Sequence, residues 1–194
     1  LASCEVDFTE IDNFSRLKHL SLSSMTLNLF DKAGQTEVIL DILALKIKER
    51  YGISNLAVTE FNREYLVNTL SYHWKDTPGY KGWDGIVHCT EMDYQHFMNT
   101  GIFNETDAVL RADTENPIEG AFIESENTLV FRMRDNGQYS GSILYTDVDK
   151  NILEDSGEWK TFAEISTLIQ NRINMLRHDS SAQAKTDFLA RMSH

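Results

Sequence analysis

The chain has 194 residues, of which 41% are apolar, so it can form one domain of ordinary size with a sizeable core and some additional helix. It carries 18 Lys and Arg against 30 Asp and Glu, and the resulting net charge of −12 disfavours binding to nucleic-acid phosphates or to an anionic membrane surface. The cysteines Cys4 and Cys89 predict neither a disulfide framework nor a zinc site.

The expected compartment is a reducing cytoplasm, because the cysteine content is low and no apolar run approaches the roughly 20 residues that span a bilayer. No signal segment precedes the opening Leu1 to Cys4. We therefore expect the sequence to be a piece of a longer protein, which leaves a membrane anchor upstream in that parent open.

Two helices are predicted at the beginning of the chain. A capping box of Thr9 and Asp12, followed by an imperfect apolar stripe, predicts a helix over residues 9–30. A broader apolar face predicts a second helix from Thr36 to Arg50, and its breadth favours packing against a sheet.

The apolar period then changes to two, which predicts strands over residues 56–61 and 65–74 joined by a short polar turn as a hairpin. Strands are also predicted over residues 121–124, 129–134 and 139–147.

The best turn signal is Asn136-Gly137, since these residues tolerate the positive φ angles of a tight hairpin. Gly141, inside the following strand, predicts a bulge or a close approach of two backbones. Between the two groups of strands, residues 75–117 show little period apart from a short helix over 91–99. A segment of this length is typical of a functional region.

From Glu158 the sequence predicts one continuous helix to the end of the chain, with apolar residues at Phe162, Ile165, Ile169, Ile173 and Leu176. Its roughly 37 residues would extend about 55 Å. A helix of this length is too long to be buried on one small domain, so we expect it to pair with a second copy in a homodimer.

The last eleven residues, Ala184-Lys-Thr-Asp-Phe-Leu-Ala-Arg-Met-Ser-His194, resemble the beginning of the phosphoacceptor box of sensor histidine kinases. The resemblance implies that His194 is the phosphoacceptor, and a neutral imidazole is a competent nucleophile near neutral pH. Two other interpretations are an ordinary amphipathic helix end and the first histidine of a purification tag.

The order of elements predicts an α+β fold with an antiparallel sheet flanked by helices. The helix before Tyr51-Gly52, the hairpin over 131–145 and the helix over 159–173 resemble those of GAF domains. A PAS-type sensor is the near alternative, but it normally begins with strands and is shorter. We assign residues 1–34 to an N-terminal linker and helix, 35–176 to a GAF-like sensor domain, and 177–194 to the start of a dimerisation and phosphoacceptor helix.

In GAF domains the irregular region commonly forms the lid of a small-molecule pocket, so the resemblance places an unknown ligand near residues 74–117. The candidate lining residues are Trp74, Tyr80, Trp83, His88, Cys89 and His96. Core packing is the alternative for the aromatic residues, and the histidines lack metal or haem spacing, so no metal is expected. Bilin-attaching members typically have Cys before His, so the order His88-Cys89 argues against a covalent chromophore.

These patterns predict the sensory input domain of a two-component sensor histidine kinase, homodimeric through its N- and C-terminal helices. ATP would be bound only by a separate catalytic domain, and the phosphoryl group would pass to a response regulator in cis or in trans. The alternatives are a GAF module that serves only interaction or dimerisation, and a free-standing small-molecule-binding protein or redox enzyme on the same fold.

Overall fold

The computed structural model describes residues 22–31, 35–80, 85–99, 109–111 and 115–193. Helices α1 (Leu22–Asp31) and α2 (Thr36–Tyr51) are followed by strands β1 (Asn55–Asn62), β2 (Val67–Lys75) and β3 (Ile86–His88), helix α3 (Glu91–Asn99) and strand β4 (Val109–Arg111). A 3₁₀ turn at Gly120–Phe122 precedes strands β5 (Leu129–Asp135) and β6 (Gln138–Thr146), a short helix α4 (Lys150–Leu153) and a long helix α5 (Ser156–Met192).

The described strands form one six-stranded sheet in the order β3-β2-β1-β6-β5-β4, and each neighbouring pair is antiparallel. The hairpins β1–β2 and β5–β6 lie side by side because β1 pairs with β6. The predicted α+β fold, with an antiparallel sheet flanked by helices and a long C-terminal helix, is confirmed.

One face of the sheet, which we call the helix face, is covered by α1, α2 and the first half of α5. In α2 the buried apolar residues recur at the spacing of a helical stripe, and the α5 residues Phe162, Ile165 and Ile169 do the same. They pack on strand residues that share a face because side chains alternate along a strand, among them Val58 and Ile143.

The opposite face, which we call the second face, is covered in the described part of the chain by α3 and by residues 116–123. Its apolar residues fall into two smaller clusters, one around Ala57, Leu70 and Leu144 and the other around Phe61 and Phe97. The second face therefore has a thinner cover than the helix face.

The β5–β6 hairpin closes as the Asn-Gly signal predicts, with φ of 51° at Asn136 and 77° at Gly137. Gly141 has φ of 141°, and a Cβ at this position would lie 2.0 Å from the carbonyl oxygen of Thr59. The predicted close backbone approach is confirmed. Bulges interrupt the register between Val58 and Thr59 and between Met133 and Arg134.

The predicted strand over residues 121–124 is wrong, since this segment contains a 3₁₀ turn and no strand. Its backbone forms local hydrogen bonds, from Gly120 N to Asn116 O and from Phe122 N to Glu119 O. The apolar pattern there reflects the burial of Phe122 on the second face. Strands β3 and β4 were not predicted, because three residues are too few to show an alternating period.

The first predicted helix is confirmed over Leu22–Asp31, and residues 9–21 lie outside the described residues. Helix α5 has 37 residues, close to the predicted length, but it begins at Ser156 rather than at the predicted Glu158. Its side chains pack on the helix face up to Ile173, and from His178 onward they are exposed as far as the structure describes them. None of the described helices combines the length and apolarity needed to cross a bilayer.

Candidate functional site

A buried polar network occupies the middle of the second face. Glu119, which is 0% exposed, accepts a hydrogen bond from the Arg132 guanidinium and another from the Ser142 hydroxyl at 2.6 Å. Arg132 and Ser142 come from neighbouring strands, and alternation turns both side chains away from the helix face. Two opposite charges are therefore held together in a part of the fold that is closed to water.

Tyr139 and Thr59 extend this network. The Tyr139 hydroxyl lies 2.6 Å from the Ser142 hydroxyl, and Thr59 Oγ1 accepts a hydrogen bond from Ser142 N at 3.0 Å. Burial and the nearby Glu119 carboxylate raise the pKa of Tyr139 well above its usual range, so its hydroxyl stays protonated. Tyr139 therefore remains available as a hydrogen-bond donor.

Two polar atoms near this network have no hydrogen-bond partner in the described part of the chain. They are Asn68 Oδ1 and Arg132 Nε, an acceptor and a donor. Asn68 is 1% exposed, and its Nδ2 donates to Ile118 O at 2.9 Å. A donor placed at Asn68 Oδ1 and an acceptor placed at Arg132 Nε, from a ligand or from ordered water, would satisfy these atoms.

An aromatic shell holds the network on the side of α3. The rings of Phe61 and Tyr94 stack at 5.4 Å between centroids, and Phe97 contacts Tyr139 edge-to-face at 4.8 Å. The Arg132 guanidinium lies 5.4 Å from the centre of the Phe97 ring. Helix α3 therefore fixes the position of the charged pair.

A second polar group lies at the other end of this face. His73 contacts the Asn55 side chain at 3.0 Å through Nε2 and the Tyr80 hydroxyl at 2.5 Å through Nδ1. Burial lowers the pKa of His73 below its ordinary value, with a further contribution from the positive charge of Lys75. His73 is thus held in its neutral form in the folded protein at neutral pH.

The structure separates the residues that the sequence assigned to a ligand pocket. Tyr80 lies on the second face against His73, whereas Trp74 packs against the core of the helix face. His88 is exposed on the edge strand β3, and Trp83 lies outside the described residues.

Cys89 is half-buried against the aromatic shell, and burial raises the pKa of its thiol, as do Asp93 and Glu91. His96 is exposed on α3. The described residues contain no group of three or more His, Cys, Asp or Glu side chains placed to hold a metal ion. A pocket lined by the predicted residues remains a prediction.

Sequence reasoning missed Glu119, Asn68 and the network as a whole. The sequence contained one signal of the network. Arg132 lies inside the apolar run Leu129–Met133, and its side chain lies on the opposite face of the sheet from those of Phe131 and Met133. A charge on a buried strand requires a buried partner. The sequence could not identify Glu119, because that residue lies in a segment without a regular period.

A groove of about 510 Å³ lies on the helix face, where α5 leaves the sheet. It is bounded by the first turns of α2, by strands β1 and β2, and by Ile173, Leu176 and Arg177 of α5. Its walls combine apolar and charged side chains.

His194, the predicted phosphoacceptor, lies outside the described residues, but the helix that leads to it is described through Met192. Phe188, Leu189 and Met192 are 60%, 58% and 71% exposed and lie at helical spacing. The sequence that resembles the phosphoacceptor box thus presents an uncovered apolar stripe.

No protein-family model matches this sequence, and no curated protein sequence matches it either. Among solved structures, the chain is similar to bacteriophytochrome RpBphP3 from the photosynthetic bacterium R. palustris, with a TM-score of 0.56 and 10% identity over 92% of this chain and 41% of that one. It is also similar to the phycocyanobilin-bound GAF domain of a cyanobacterial phytochrome, with a TM-score of 0.53 and 8% identity over 79% of this chain and 92% of that one.

A third similar structure is the phycoerythrobilin-bound GAF domain of a cyanobacterial phytochrome, with a TM-score of 0.53 and 8% identity over 81% of this chain and 96% of that one. At these identities the similarity establishes the fold, which is that of GAF domains.

Proposed function

We propose that this chain is the sensory input domain of a two-component sensor histidine kinase, and that it transmits its signal along α5 to His194. The observation that carries the proposal is the continuity of α5. One helix of 37 residues begins in the core of the GAF fold and runs into the sequence that resembles a phosphoacceptor box.

The two halves of α5 suit this role. Phe162, Ile165 and Ile169 are at most 1% exposed, so the first half is fixed to the sheet. The second half has exposed side chains and extends as a rod at about 1.5 Å per residue. A shift or rotation of the first half would therefore move the second half as a unit.

The chemistry at His194 is phosphoryl transfer. A neutral imidazole nitrogen attacks the γ-phosphorus of ATP, the bond from that phosphorus to the bridging oxygen breaks, and ADP leaves. ATP is supplied by a separate catalytic domain. The phosphoryl group then passes to an aspartate of a response regulator in cis or in trans. The exposed stripe of Phe188, Leu189 and Met192 supports pairing of two copies of α5 in a homodimer.

The signal that we propose is a small molecule bound without a covalent bond on the second face. Two of the similar structures are GAF domains bound to phycocyanobilin and to phycoerythrobilin. In this chain, the orphan atoms Asn68 Oδ1 and Arg132 Nε offer an acceptor and a donor to such a ligand. Native mass spectrometry and an absorbance scan of the purified protein test this step, and a protein that carries no bound molecule after purification from its native host would contradict it.

Phosphorylation of the parent protein tests the kinase context. Incubation of the full-length parent with radiolabelled ATP is expected to place an acid-labile, base-stable phosphate on His194, and His194→Gln is expected to abolish the labelling. His96→Gln is the control and should leave the labelling in place, since His96 is an exposed histidine on α3, outside the helix that leads to His194. Labelling that survives His194→Gln would refute the proposal.

An interaction module without a ligand is the second candidate, because both carboxylate oxygens of Glu119 already accept hydrogen bonds, from Arg132 and from Ser142. The same mass measurement separates the two candidates. A redox enzyme acting through Cys89 is disfavoured, because burial raises the pKa of that thiol and suppresses the reactive thiolate.

A further inference from the structure

Four side chains of α5 contact the β5–β6 hairpin near the point where the helix leaves the sheet. Gln170 Oε1 accepts a hydrogen bond from Arg134 N at 2.7 Å, and Asn174 Nδ2 donates to Arg134 O at 2.7 Å. Arg177 donates to Ser140 O at 3.2 Å, and His178 Nε2 lies 3.0 Å from Asp135 Oδ1. We call these four contacts the hairpin clasp.

The clasp follows from the shape of the hairpin and the period of the helix. The register of β5 and β6 is interrupted beside Arg134, and both backbone polar groups of that residue bond to side chains of α5. Residues 170, 174, 177 and 178 lie on one side of a helix because they are three or four positions apart. Loss of one contact would therefore weaken a shared attachment.

The same hairpin forms part of the network on the second face. The Arg132 side chain bonds Glu119, and the Tyr139 hydroxyl contacts Ser142. Tyr139 is separated from Ser140 by one peptide bond, and Ser140 O accepts from Arg177 on the opposite side of the sheet. A change in the network thus reaches the clasp through the backbone of a single hairpin.

We propose that the hairpin clasp is the regulatory contact that couples the second face to α5. When the network is intact, the clasp holds the hairpin against residues 170–178 of the helix. When a molecule bound on the second face displaces Tyr139, the hairpin moves and the clasp opens. The segment after Ile173 then keeps the ion pair of Arg177 with Glu60 of β1 but loses its attachment to the hairpin. As a regulatory role this inference rests on the proposed function, whereas the coupling itself is a property of this chain.

Two features of the clasp lower the free-energy cost of opening it. Asn174 Oδ1 is buried and has no hydrogen-bond partner in the part of the chain that the structure describes. Opening would expose this oxygen to water, which compensates in part for the lost contact with Arg134. His178 is largely exposed, so its contact with Asp135 is readily exchanged for water. A contact of this kind can be shifted by a modest signal.

Hydrogen–deuterium exchange of the intact 194-residue chain tests the coupling. Tyr139→Phe removes the hydroxyl next to Ser142 but keeps the ring, so it serves as the probe of the second face. It is expected to speed exchange of the amides of residues 174–182 by about threefold or more. In an Asn174→Leu background these amides are expected to exchange faster already, and Tyr139→Phe is expected to add no further increase.

Asp179→Leu is the control, because Asp179 is exposed on the same helix and lies on the side that points away from Gln170, Asn174 and Arg177. In this background Tyr139→Phe should keep its full effect. Arg177→Met removes another contact of the clasp, together with the ion pair to Glu60, at a side chain that is 28% exposed, and it should reproduce the result of Asn174→Leu. Near-UV circular dichroism shows whether a variant keeps its packed core. If Asn174→Leu does not, the comparison of Tyr139→Phe with and without the clasp is made in the Arg177→Met background instead.

The proposal is overturned if Tyr139→Phe leaves the exchange of residues 174–182 unchanged, or if its effect is the same with and without the clasp. These measurements involve neither ATP nor His194. If coupling is present but the parent is not phosphorylated at His194, the kinase function fails and the clasp stands. If the parent is phosphorylated and coupling is absent, the clasp fails alone.

Discussion

The two faces of the sheet are stabilised in different ways. The helix face is an apolar core in which the rings of Tyr51 and Phe162 lie 4.4 Å apart, and the hydrogen bond between Tyr145 and Ser166 is a small polar component within it. The second face has a charged pair, Arg132 and Glu119, at its centre. A buried ion pair is a poor source of stability compared with apolar packing. The helix face therefore stabilises the fold by apolar packing, whereas the second face keeps a buried charged pair, which is where we propose that a ligand binds.

The largest effect is expected from breaking the charged pair. Arg132→Met leaves the fully buried Glu119 carboxylate without its cation, and we expect a loss of about 3–5 kcal/mol in the free energy of unfolding measured with urea. The double variant Arg132→Met with Glu119→Leu removes both charges and should recover most of the loss. A single variant as stable as the wild type would show that water reaches Glu119.

A smaller loss is expected from a cavity on the helix face. Ile169→Ala truncates a side chain that is 0% exposed, which should lower the free energy of unfolding by about 2–4 kcal/mol. Val38→Ala on α2 is the control, since Val38 is 51% exposed and its truncation should change stability by less than about 0.5 kcal/mol. Equal losses at both positions would mean that another surface covers α2.

A pH-dependent effect is expected at His73. Burial and Lys75 lower its pKa below the ordinary 6.5, so the unfolded chain takes up a proton at a higher pH than the folded chain does. The contribution of His73 is therefore present above pH 6.5 and is lost as the pH falls from 6.5 through the folded-state pKa.

Urea unfolding measured from pH 8 to pH 5 tests this, with His73→Gln expected to lose less stability over that range than the wild type. His96→Gln, at an exposed position of α3, is the control and should follow the wild-type curve. A wild-type curve that stays level as the pH falls would contradict the burial of His73.

The smallest effect is expected at Cys89. Burial raises its pKa, so alkylation by iodoacetamide at pH 8 should be several-fold slower in the folded chain than in the urea-unfolded chain. A Cys4→Ser background makes Cys89 the single thiol of the chain. Equal rates would show that the cover of the second face opens readily.

The helix face was more predictable from sequence than the second face. The spacing of Phe162, Ile165 and Ile169 is a local period, and it predicted the long helix. The breadth of the apolar face of α2 is also local, and it predicted both that helix and its packing on a sheet. Asn136-Gly137 likewise specified its own turn.

The network on the second face depends instead on contacts between residues far apart in the chain. Glu119 meets Arg132 across 13 positions and Asn68 meets Ile118 across 50, and neither pairing leaves a periodic trace. For the same reason Trp74 was grouped with Tyr80 by its position in sequence, although strand alternation directs it to the helix face. The clasp also escaped prediction, because three of its four contacts are with backbone atoms of a bulged hairpin.

The edges of the sheet also affect how copies of this protein can associate. In the part of the chain that the structure describes, the sheet ends at β3 and β4, and each of these border strands has three residues. A border this short exposes few backbone groups to a strand from another molecule, which limits amyloid-like growth along the sheet. Association of copies of this domain through the edges of its sheet is therefore disfavoured.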